Sequence, residues 1–368
     1  MIGKEILQQL KPYKQGMQID EVKKLYQLDR IVKLASNENA YGYSEEVKKM
    51  LSSGNFEMEF YPDGYAGELR HAVADRLQVE QDQLVFGSGS DEIVQMICRS
   101  MLYPSSNTVM AAGTFPQYRH NALIEGVEIR EVPTISGKHD LNGMLHAIDK
   151  QTAVVWLCSP DNPTGTLIDR KSLIHFMDTC PKDTLVVLDE AYIEFVSTNY
   201  DVQAIELLNQ YDNLIVLRTF SKAYGLAGFR VGYGIAKKEI ADKINIARPP
   251  FNTTSLSQKA AMVALKDTSF IDKTVKLNKE TKESFEQFLT KLGWKYFESH
   301  TNFLLVSTPI SGMDTFQFLL ERGFIVRPGE LLGYPNTIRV TIGTADDMKQ
   351  LQQLLTLLHE QIFEETTL

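Results

Sequence analysis

Short apolar runs rich in β-branched residues recur along the first two-thirds of the chain, and stretches of helical spacing lie between several of them. The runs are QLVFGSGS (83–90), TVMAAGT (108–114), AVVWLCSP (153–160), TLVVLDEAY (184–192), NLIVLRTFSK (213–222) and RVGYGIA (230–236). Apolar residues recur at helical spacing in 91–102, 169–180 and 255–267. Strands that alternate with helices predict βαβ units and a mainly parallel sheet covered by helices on both faces.

The last hundred residues follow a different pattern. A long polar helical stretch at about 268–292 precedes TNFLLVST, TFQFLLERGFIVRP and TIRVTIGT, and a final helix begins at 345. These segments predict a smaller α/β unit with an antiparallel sheet. We therefore predict an α/β protein in which an amino-terminal segment, 1–38, packs with a small domain, 268–368, beside a large domain, 39–267.

Composition and charge narrow the classes of function. The 368-residue chain is 43% hydrophobic and 23% charged, as in ordinary soluble globular proteins. A formal net charge of −9 argues against a nucleic-acid partner, because phosphate backbones favour basic surfaces. The sequence has no apolar window of membrane-spanning length, and its first residues lack a secretory pattern. Three widely spaced cysteines indicate reduced thiols and a cytoplasmic location, and the histidines show no metal-ligand spacing.

Chemically useful side chains follow several predicted strands, at the edge where ligands bind in open α/β sheets. Each has an ordinary structural interpretation when taken alone. FGSGSDE (86–92) has the composition of a phosphate-binding turn, but an ordinary capped turn is the commoner interpretation, and Glu92 excludes a dinucleotide fingerprint. Asp189 is equally typical of a helix N-cap, and Asn162 lies in SPDNPTG, a turn by composition.

Lys222, in LRTFSKAYGLAGFRVGYG (217–234), carries the sharpest signal. A lysine near a buried strand end usually extends to solvent. Here its neighbours are small and Arg230 follows, so burial and a nearby cation are expected to lower its pKa and make it a nucleophile for carbonyl groups. Ser221, Arg230 and the helix start after FGSGSDE would bind a phosphate, and Asp189 would bind a ring cation. Pyridoxal phosphate combines an aldehyde, a phosphate and a basic ring nitrogen.

At this point several segments together resemble one family. They are KLASNENAYG, YPDGYAGELRHAVAD, GSGSDE, SPDNPTG, VVLDEAYIEF, RTFSKAYGLAGFRVGYG, TNFLLV and IRVTIGT. The chain resembles the fold-type I pyridoxal-phosphate aminotransferases, and most closely the histidinol-phosphate aminotransferases among them. The resemblance covers nearly the whole chain, and Ser-Lys followed by Leu-Ala-Gly-x-Arg, with DEAY upstream, is its most specific part.

The resemblance implies a role for each matching residue. Lys222 would bind the cofactor as an aldimine, and Asp189 would keep the pyridine nitrogen protonated so that the ring acts as an electron sink. Tyr192 and Asn162 would hydrogen-bond the phenolic oxygen of the ring, and Tyr118, in TFPQY, would stack on its face. The phosphate would be held by Ser90, Asp91, Ser221 and Arg230.

Substrate and subunit contacts are implied in the same way. Arg339, in IRVTIGT, matches the arginine that binds the anionic end of the substrate. Arg327, in FIVRPG, is similar to a second such arginine, although a surface ion pair explains it almost as well, and Tyr13, in KPYKQG, is similar to a third contact. Tyr61, in YPDG, resembles a tyrosine that reaches the cofactor phosphate of the neighbouring subunit, which implies a homodimer.

The implied reaction is transamination of L-histidinol phosphate with 2-oxoglutarate, giving imidazole acetol phosphate and glutamate. NENA and PDNPTG depart mildly from the family pattern, whereas RPGELLGYP (327–335) departs more and helps to shape the substrate pocket. An aromatic amino acid aminotransferase and a threonine-phosphate decarboxylase share the cofactor motifs and stay open as alternatives. A cofactor-sensing regulator would need an added DNA-binding segment, and a plain nucleotide-binding module is the remaining non-enzymatic alternative.

Overall fold

The computed structural model describes residues 4–8, 16–54 and 56–365. The helices are α1 (Ile19–Tyr26), α2 (Glu45–Ser52), α3 (Gly67–Leu77), α4 (Ser90–Met101), α5 (Pro116–Glu125), α6 (Leu141–Ala147), α7 (Arg170–Thr179), α8 (Ala204–Leu207), α9 (Lys238–Ile246), α10 (Ser255–Lys266), α11 (Thr268–Leu292), α12 (Gly312–Leu320) and α13 (Ala345–Glu365). The strands are β1 (Val32–Lys33), β2 (Leu84–Gly87), β3 (Asn107–Ala111), β4 (Glu128–Val132), β5 (Thr152–Cys158), β6 (Leu185–Asp189), β7 (Leu214–Thr219), β8 (Gly232–Ala236), β9 (Phe303–Ser307), β10 (Phe324–Ile325), β11 (Arg327–Pro328) and β12 (Thr337–Thr341). Short 3-10 helices cover Glu5–Gln8, Gln81–Gln83, Ile193–Phe195, Ala227–Phe229 and Gly329–Leu332.

A seven-stranded sheet forms the centre of the larger part of the molecule. Its strand order is β2-β8-β7-β6-β5-β3-β4, with β8 antiparallel to both of its neighbours and the other pairs parallel. Every residue of β3, β6 and β8 is buried, which explains why apolar and small residues predominate in these strands. The predicted fold class, an α/β protein with a mainly parallel mixed sheet, is confirmed.

Helices cover both faces of this sheet because successive side chains of each strand point to opposite sides. Val186 and Leu188 of β6 pack in a core with residues of α3, α7 and α10. Val187, between them, packs in a second core with residues of α4, α5 and α9. The alternation fixes the sheet between two helical layers and leaves its carboxyl-terminal edge open for a ligand.

The carboxyl-terminal part contains an antiparallel sheet with strand order β11-β12-β9, as the sequence predicts. The amino-terminal segment contributes to the same part, because β1 pairs in parallel with β10, Val32 opposite Phe324. Helices α11 and α13 pack on the core of this unit through side chains such as Phe285 and Leu355. The polar stretch at 268–292 is a single helix of 25 residues.

The sequence pattern does not predict strand β4. β4 pairs in parallel with β3 at the end of the sheet, and each of its residues is at least partly exposed. An edge strand is not compelled to be apolar on both faces, so the polar sequence EIREV shows no buried-strand pattern. Within the described ranges, no helix is both long enough and apolar enough to cross a membrane. The same residues contain no group of three or more His, Cys, Asp or Glu side chains that could hold a metal ion.

Candidate active site

A cavity of about 810 Å³ opens at the carboxyl ends of the central parallel strands. The last residues of β5, β6 and β7, which are Cys158, Asp189 and Thr219, all line it. This is the edge at which open α/β sheets bind ligands, and the volume suits a small molecule. Most of the predicted site residues line the cavity: Ser90, Asp91, Asn162, Asp189, Tyr192, Ser221, Lys222, Arg230, Arg327 and Arg339.

Lys222 follows β7 and extends into the cavity. Its Nζ donates a hydrogen bond of 3.3 Å to the carbonyl oxygen of Ser36 and lies 5.7 Å from the centre of the Tyr192 ring. Burial, together with the positive charges of Arg339 and Arg230, lowers the pKa of Lys222 to about 8, and the nearby carboxylates limit the shift. A lysine with this pKa is neutral in a substantial fraction of molecules near neutral pH, so its amine can attack a carbonyl carbon.

Asp189 ends β6 and is 3% exposed. Its carboxylate accepts a 2.7 Å hydrogen bond from the Tyr118 hydroxyl and a 3.1 Å hydrogen bond from the Ala191 N–H. Both donors are neutral, so burial dominates and raises the pKa of Asp189 to about 6. A basic ring nitrogen in the cavity would offset the cost of the buried charge, which is the electrostatic complement this site requires.

The expected position of Tyr118 is corrected by the structure. Tyr118 is fully buried, its hydroxyl donates a hydrogen bond to Asp189, and its ring stacks on Trp156 at a centroid distance of 4.8 Å. The side chain that lines the cavity is Phe115, at the start of the same helix. Pro116 at the first position of α5 turns the chain there, so the aromatic side chain facing the cavity lies three residues before the predicted one.

A glycine turn and an arginine form a cradle for an anion at the start of α4. Arg230 donates through Nη1 to the Ser221 hydroxyl at 3.3 Å and through Nη2 to the carbonyl oxygen of Ser88 at 3.3 Å. Gly89 has φ +81°, and a Cβ there would lie 2.4 Å from Arg230 Nη2, so only glycine fits. Asp91 lies 3.7 Å from the same guanidinium, and its backbone N–H belongs to the first turn of α4, whose dipole favours an anion.

Glu92 explains how this turn keeps its shape. Its Oε2 accepts hydrogen bonds of 2.6 Å from the Ser88 N–H and from Nδ2 of Asn252. Glu92, which excludes a dinucleotide fingerprint in the sequence, therefore stabilises the conformation of the turn 87–90. The sequence offered no signal for this contact, because Asn252 is 160 residues away along the chain.

Asn162 and Tyr192 both line the cavity and are held there by side-chain hydrogen bonds. The amide oxygen of Asn162 accepts a 2.5 Å hydrogen bond from Arg339 Nη1. The Tyr192 hydroxyl accepts a 2.9 Å hydrogen bond from Asn37 Nδ2. Asn37, in the NENA segment, also lines the cavity and was not predicted, because its role depends on a left-handed backbone (φ 57°) and on contacts with Tyr192 and Thr341, which are 155 and 304 residues away along the chain.

The two predicted substrate arginines are neighbours in the antiparallel sheet. Arg327 of β11 lies directly opposite Arg339 of β12. Directly opposite residues of an antiparallel pair project from the same face, so both guanidinium groups reach the cavity wall. Arg339 also donates through Nη2 to the carbonyl oxygen of Ala35 at 2.7 Å, which fixes its side chain.

Of the remaining predicted residues, Tyr61 does not line the cavity. Tyr61 is 82% exposed and stacks on Phe251, with ring centroids 4.7 Å apart. Exposed apolar side chains surround its position in the sequence, including Met58, Phe60 and Tyr65. Tyr13 lies outside the described residues.

The sequence also did not predict a buried polar cluster around Asp161, next to Asn162. The Asp161 carboxylate accepts hydrogen bonds from the Thr114 hydroxyl at 2.6 Å and from the Thr164 hydroxyl at 2.8 Å, and it lies 3.2 Å from Nε2 of His139. Asp161 precedes Asn162 and Thr114 precedes Phe115, so one carboxylate connects the two loops that border the cavity. In the sequence, Asp161 appears only as a departure from the family pattern.

Comparisons with known proteins decide the family. The family model described as aminotransferase class I and II matches residues 29–356. The chain belongs to this family. A histidinol-phosphate aminotransferase 2 of Oceanobacillus iheyensis is 56% identical to this aminotransferase over 96% of the chain and 98% of the relative. A histidinol-phosphate aminotransferase of Bacillus subtilis is 49% identical over 96% of the chain and 98% of the relative.

Solved structures support the fold of the aminotransferase. The histidinol-phosphate aminotransferase of Sinorhizobium meliloti, in complex with pyridoxal-5'-phosphate, superposes with a TM-score of 0.89 at 24% identity and covers 98% of each chain. The histidinol-phosphate aminotransferase of Clostridium acetobutylicum superposes with a TM-score of 0.83 at 25% identity, over 90% of this chain and all of that one.

The residues of the cavity fit the cofactor of the family, pyridoxal 5'-phosphate. The lowered pKa of Lys222 suits reaction of its amine with an aldehyde. The buried Asp189 carboxylate, whose donors are neutral, suits a protonated ring nitrogen. The anion cradle at the start of α4 suits a phosphate. Gly232 also supports a phosphate site here, because a Cβ at this position would lie 2.6 Å from the Ser90 nitrogen at the start of α4. The aminotransferase is a pyridoxal-phosphate enzyme.

Proposed function

We propose that this aminotransferase transfers the amino group of L-histidinol phosphate to 2-oxoglutarate, giving imidazole acetol phosphate and glutamate, as a step of histidine biosynthesis. The observation that carries the proposal is the register of Arg327 opposite Arg339 at the cavity wall. Two guanidinium groups on one face suit a phosphate dianion, and they also suit a carboxylate of the second substrate. Relatives at 49–56% identity that are named histidinol-phosphate aminotransferases support the same substrate.

Lys222 has two tasks in this proposal. When the cofactor is bound, the neutral Lys222 amine would hold its aldehyde group, with water as the leaving group, and the lowered pKa favours this role. Once the substrate amine has taken its place, the same Nζ would be free to accept a proton from the substrate carbon. The bound cofactor supplies the electron sink that makes this carbon acidic.

Asp189, Asn162 and Tyr192 orient and polarise the site. The Asp189 carboxylate pairs with a ring cation, and the Tyr118 hydroxyl holds that carboxylate from behind. Asn162 and Tyr192 are proposed to contact the phenolic oxygen of the ring. The hydrogen bonds that already join them to Arg339 and Asn37 support this arrangement, because they fix both polar groups at the cavity wall.

We propose further that the protein works as a cytoplasmic homodimer in which Tyr61 reaches the cofactor phosphate of the other subunit. The 82% exposure of Tyr61, its stacking on Phe251 and the exposed Met58 and Phe60 support a protein-binding surface here. Each subunit would then complete the phosphate cradle formed by Arg230 and Ser221 of its partner.

The first experiment replaces Lys222 with alanine. Transamination of histidinol phosphate should fall by at least about a thousandfold, because a positioned general base is lost together with the covalent link. Lys182→Ala is the control, since Lys182 is an exposed lysine that donates to the Met177 carbonyl. Full activity of the Lys222 variant would contradict the proposed mechanism.

The second experiment identifies the substrate. Addition of histidinol phosphate alone should convert the bound cofactor from its aldehyde to its amine form in the absorption spectrum, and 2-oxoglutarate should reverse the change. A higher kcat/KM for phenylalanine would assign the protein to aromatic amino acids instead. Release of carbon dioxide from threonine phosphate would assign it to decarboxylation.

The third experiment tests the shared site. Tyr61→Ala and Lys222→Ala proteins, each impaired alone, should regain activity when they are unfolded together and refolded as a mixture. One of the two sites in a mixed dimer would then contain both native residues. Activity that stays at the level of the separate variants would refute a contribution of Tyr61 across the interface.

A further inference from the structure

The segment that departs most from the family pattern forms part of the cavity wall. This segment, Gly329–Tyr334, follows Arg327 and includes the 3-10 helix Gly329–Leu332. Leu332 and Arg327 both line the cavity, so an apolar side chain lies on the same wall as the paired guanidinium groups. We call this segment the wall loop.

The wall loop is held on the large part of the molecule by Tyr334. The Tyr334 hydroxyl lies 3.2 Å from Oγ1 of Thr134, and burial raises the pKa of Tyr334 to about 12. The Tyr334 ring is also in edge-to-face contact with Phe297, at a centroid distance of 5.8 Å. The ring is therefore enclosed between the two parts of the molecule.

Gly113 makes this contact possible. A Cβ at Gly113 would lie 2.9 Å from Cε2 of Tyr334 and 3.2 Å from the carbonyl oxygen of Leu332. Gly333 approaches from the other side, since a Cβ there would lie 3.2 Å from the Gly113 Cα. The backbone of the wall loop thus packs directly on the chain just before Phe115, with no side chain between them.

The wall loop is internally braced, so a displacement of Tyr334 moves Leu332 with it. The Tyr334 N–H donates to the Gly329 carbonyl at 2.8 Å, and the Thr337 hydroxyl donates to the Tyr334 carbonyl at 2.6 Å. The Glu330 carboxylate accepts from the Gly312 N–H at 2.8 Å and from the Asn336 N–H at 3.1 Å. These bonds fix the loop as one unit on the small sheet.

We infer that Tyr334 is a positioning residue for donor specificity, which it exerts by holding Leu332 at the substrate side of the cavity. The inference rests on the proposed function, in which the donor carries a flat imidazole ring at one end, a phosphate at the other, and the amine carbon between them. Leu332 offers apolar contact to that ring. 2-Oxoglutarate has no ring, so its binding depends on the arginines and not on Leu332.

The test uses four variants of the holoenzyme: Gly113→Ala, Tyr334→Ala, the double variant, and Gly126→Ala as control. Gly126 has φ +76° with no atom within 4 Å of an added Cβ, so it carries the same backbone strain as Gly113, at φ +72°, without the contact. Gly113→Ala and Tyr334→Ala should each raise the KM for histidinol phosphate about tenfold. The KM for 2-oxoglutarate, the kcat and the Gly126→Ala kinetics should change less than about threefold.

The double variant separates one contact from two independent effects. If the Gly113 methyl acts by displacing Tyr334, the double variant should be no worse than Tyr334→Ala alone. The inference would be overturned if the KM of the double variant rose by the product of the two single effects. It would also be overturned if the variants raised the KM for histidinol phosphate and the KM for 2-oxoglutarate equally.

A measurement without turnover distinguishes failure of this inference from failure of the proposed function. In the cofactor-free protein, Tyr334→Ala should speed amide hydrogen exchange in the wall loop at least about tenfold, and Gly126→Ala should not. Unchanged exchange would overturn the positioning role whatever the substrate is. Faster exchange with no reaction of histidinol phosphate would retain the loop contact and reject the proposed donor.

Discussion

Replacing Asp189 with asparagine should make the cofactor-free protein more stable while it damages the enzyme. The carboxylate is 3% exposed, and its hydrogen bonds come from the neutral Tyr118 hydroxyl and Ala191 N–H. Burial therefore raises its pKa from 3.8 to about 6. Asparagine removes the charge, and it can accept from the Ala191 N–H through Oδ1 and donate through Nδ2 to the Tyr118 hydroxyl oxygen.

The size of the gain follows from the pKa shift. A folded pKa of about 6 against an unfolded value of 3.8 is a shift of about two units, or about 3 kcal/mol of ionisation cost. Because the pKa is higher in the folded state, ionisation of Asp189 does not lower the free energy of unfolding below pH 3.8, where the carboxyl is protonated in both states. It lowers the free energy of unfolding by the full amount above pH 6. Asp189→Asn should therefore gain up to about 3 kcal/mol at pH 7.5 and about 1 kcal/mol at pH 4.5.

Urea denaturation of the cofactor-free proteins at these two pH values measures the gain. Asp212→Asn is the control, because its side chain is 90% exposed and the same change in charge should leave stability nearly unaltered. With cofactor bound, the native protein should be more stable than Asp189→Asn, because the ring cation stabilises the buried Asp189 carboxylate but not a neutral asparagine. A gain that does not depend on pH, or no gain at pH 7.5, would refute the electrostatic reasoning.

Two further predictions concern the rest of the cavity. Competitive labelling of the cofactor-free protein with an amine-reactive reagent should give Lys222 a titration midpoint near pH 8, and a midpoint at pH 10 or above would contradict burial of its amine. Gly89→Ala should weaken binding of pyridoxal phosphate at least about tenfold, because the added methyl would meet Arg230. Gly293→Ala, at φ +75° with nothing within 4 Å, should leave that affinity unchanged in the same titration of cofactor absorbance.

The outcome for the aromatic side chains shows where sequence reasoning reaches its limit. Segment TFPQY offers both Phe115 and Tyr118, and the resemblance assigned ring stacking to the tyrosine. The helix that begins at Pro116 turns Tyr118 inward onto Trp156 and leaves Phe115 at the cavity. Which of two neighbouring aromatic residues faces a ligand depends on a helical phase that the residues alone do not reveal.

Contacts between distant segments were also beyond the sequence. Asn37 reaches Tyr192, Glu92 receives Asn252, and Tyr334 packs on Gly113, all across more than 150 residues. The local sequence around each of these residues gives no sign of its distant partner, so no local pattern marks the contact. Such positions acquire a role only when packing brings the two segments together.

The sequence by itself determined the alternation of strands and helices, the mainly parallel sheet and the residues that follow its buried strands, because burial imposes its periodicity on local sequence. Lys222, Asp189 and Arg230 could therefore be assigned to one edge before any coordinates. The tertiary structure alone decided how far the pKa of Lys222 is lowered, which neutral donors surround the Asp189 carboxylate, and that Arg327 lies opposite Arg339. Desolvation and strand register depend on which distant segments pack together, and a linear pattern does not encode that directly.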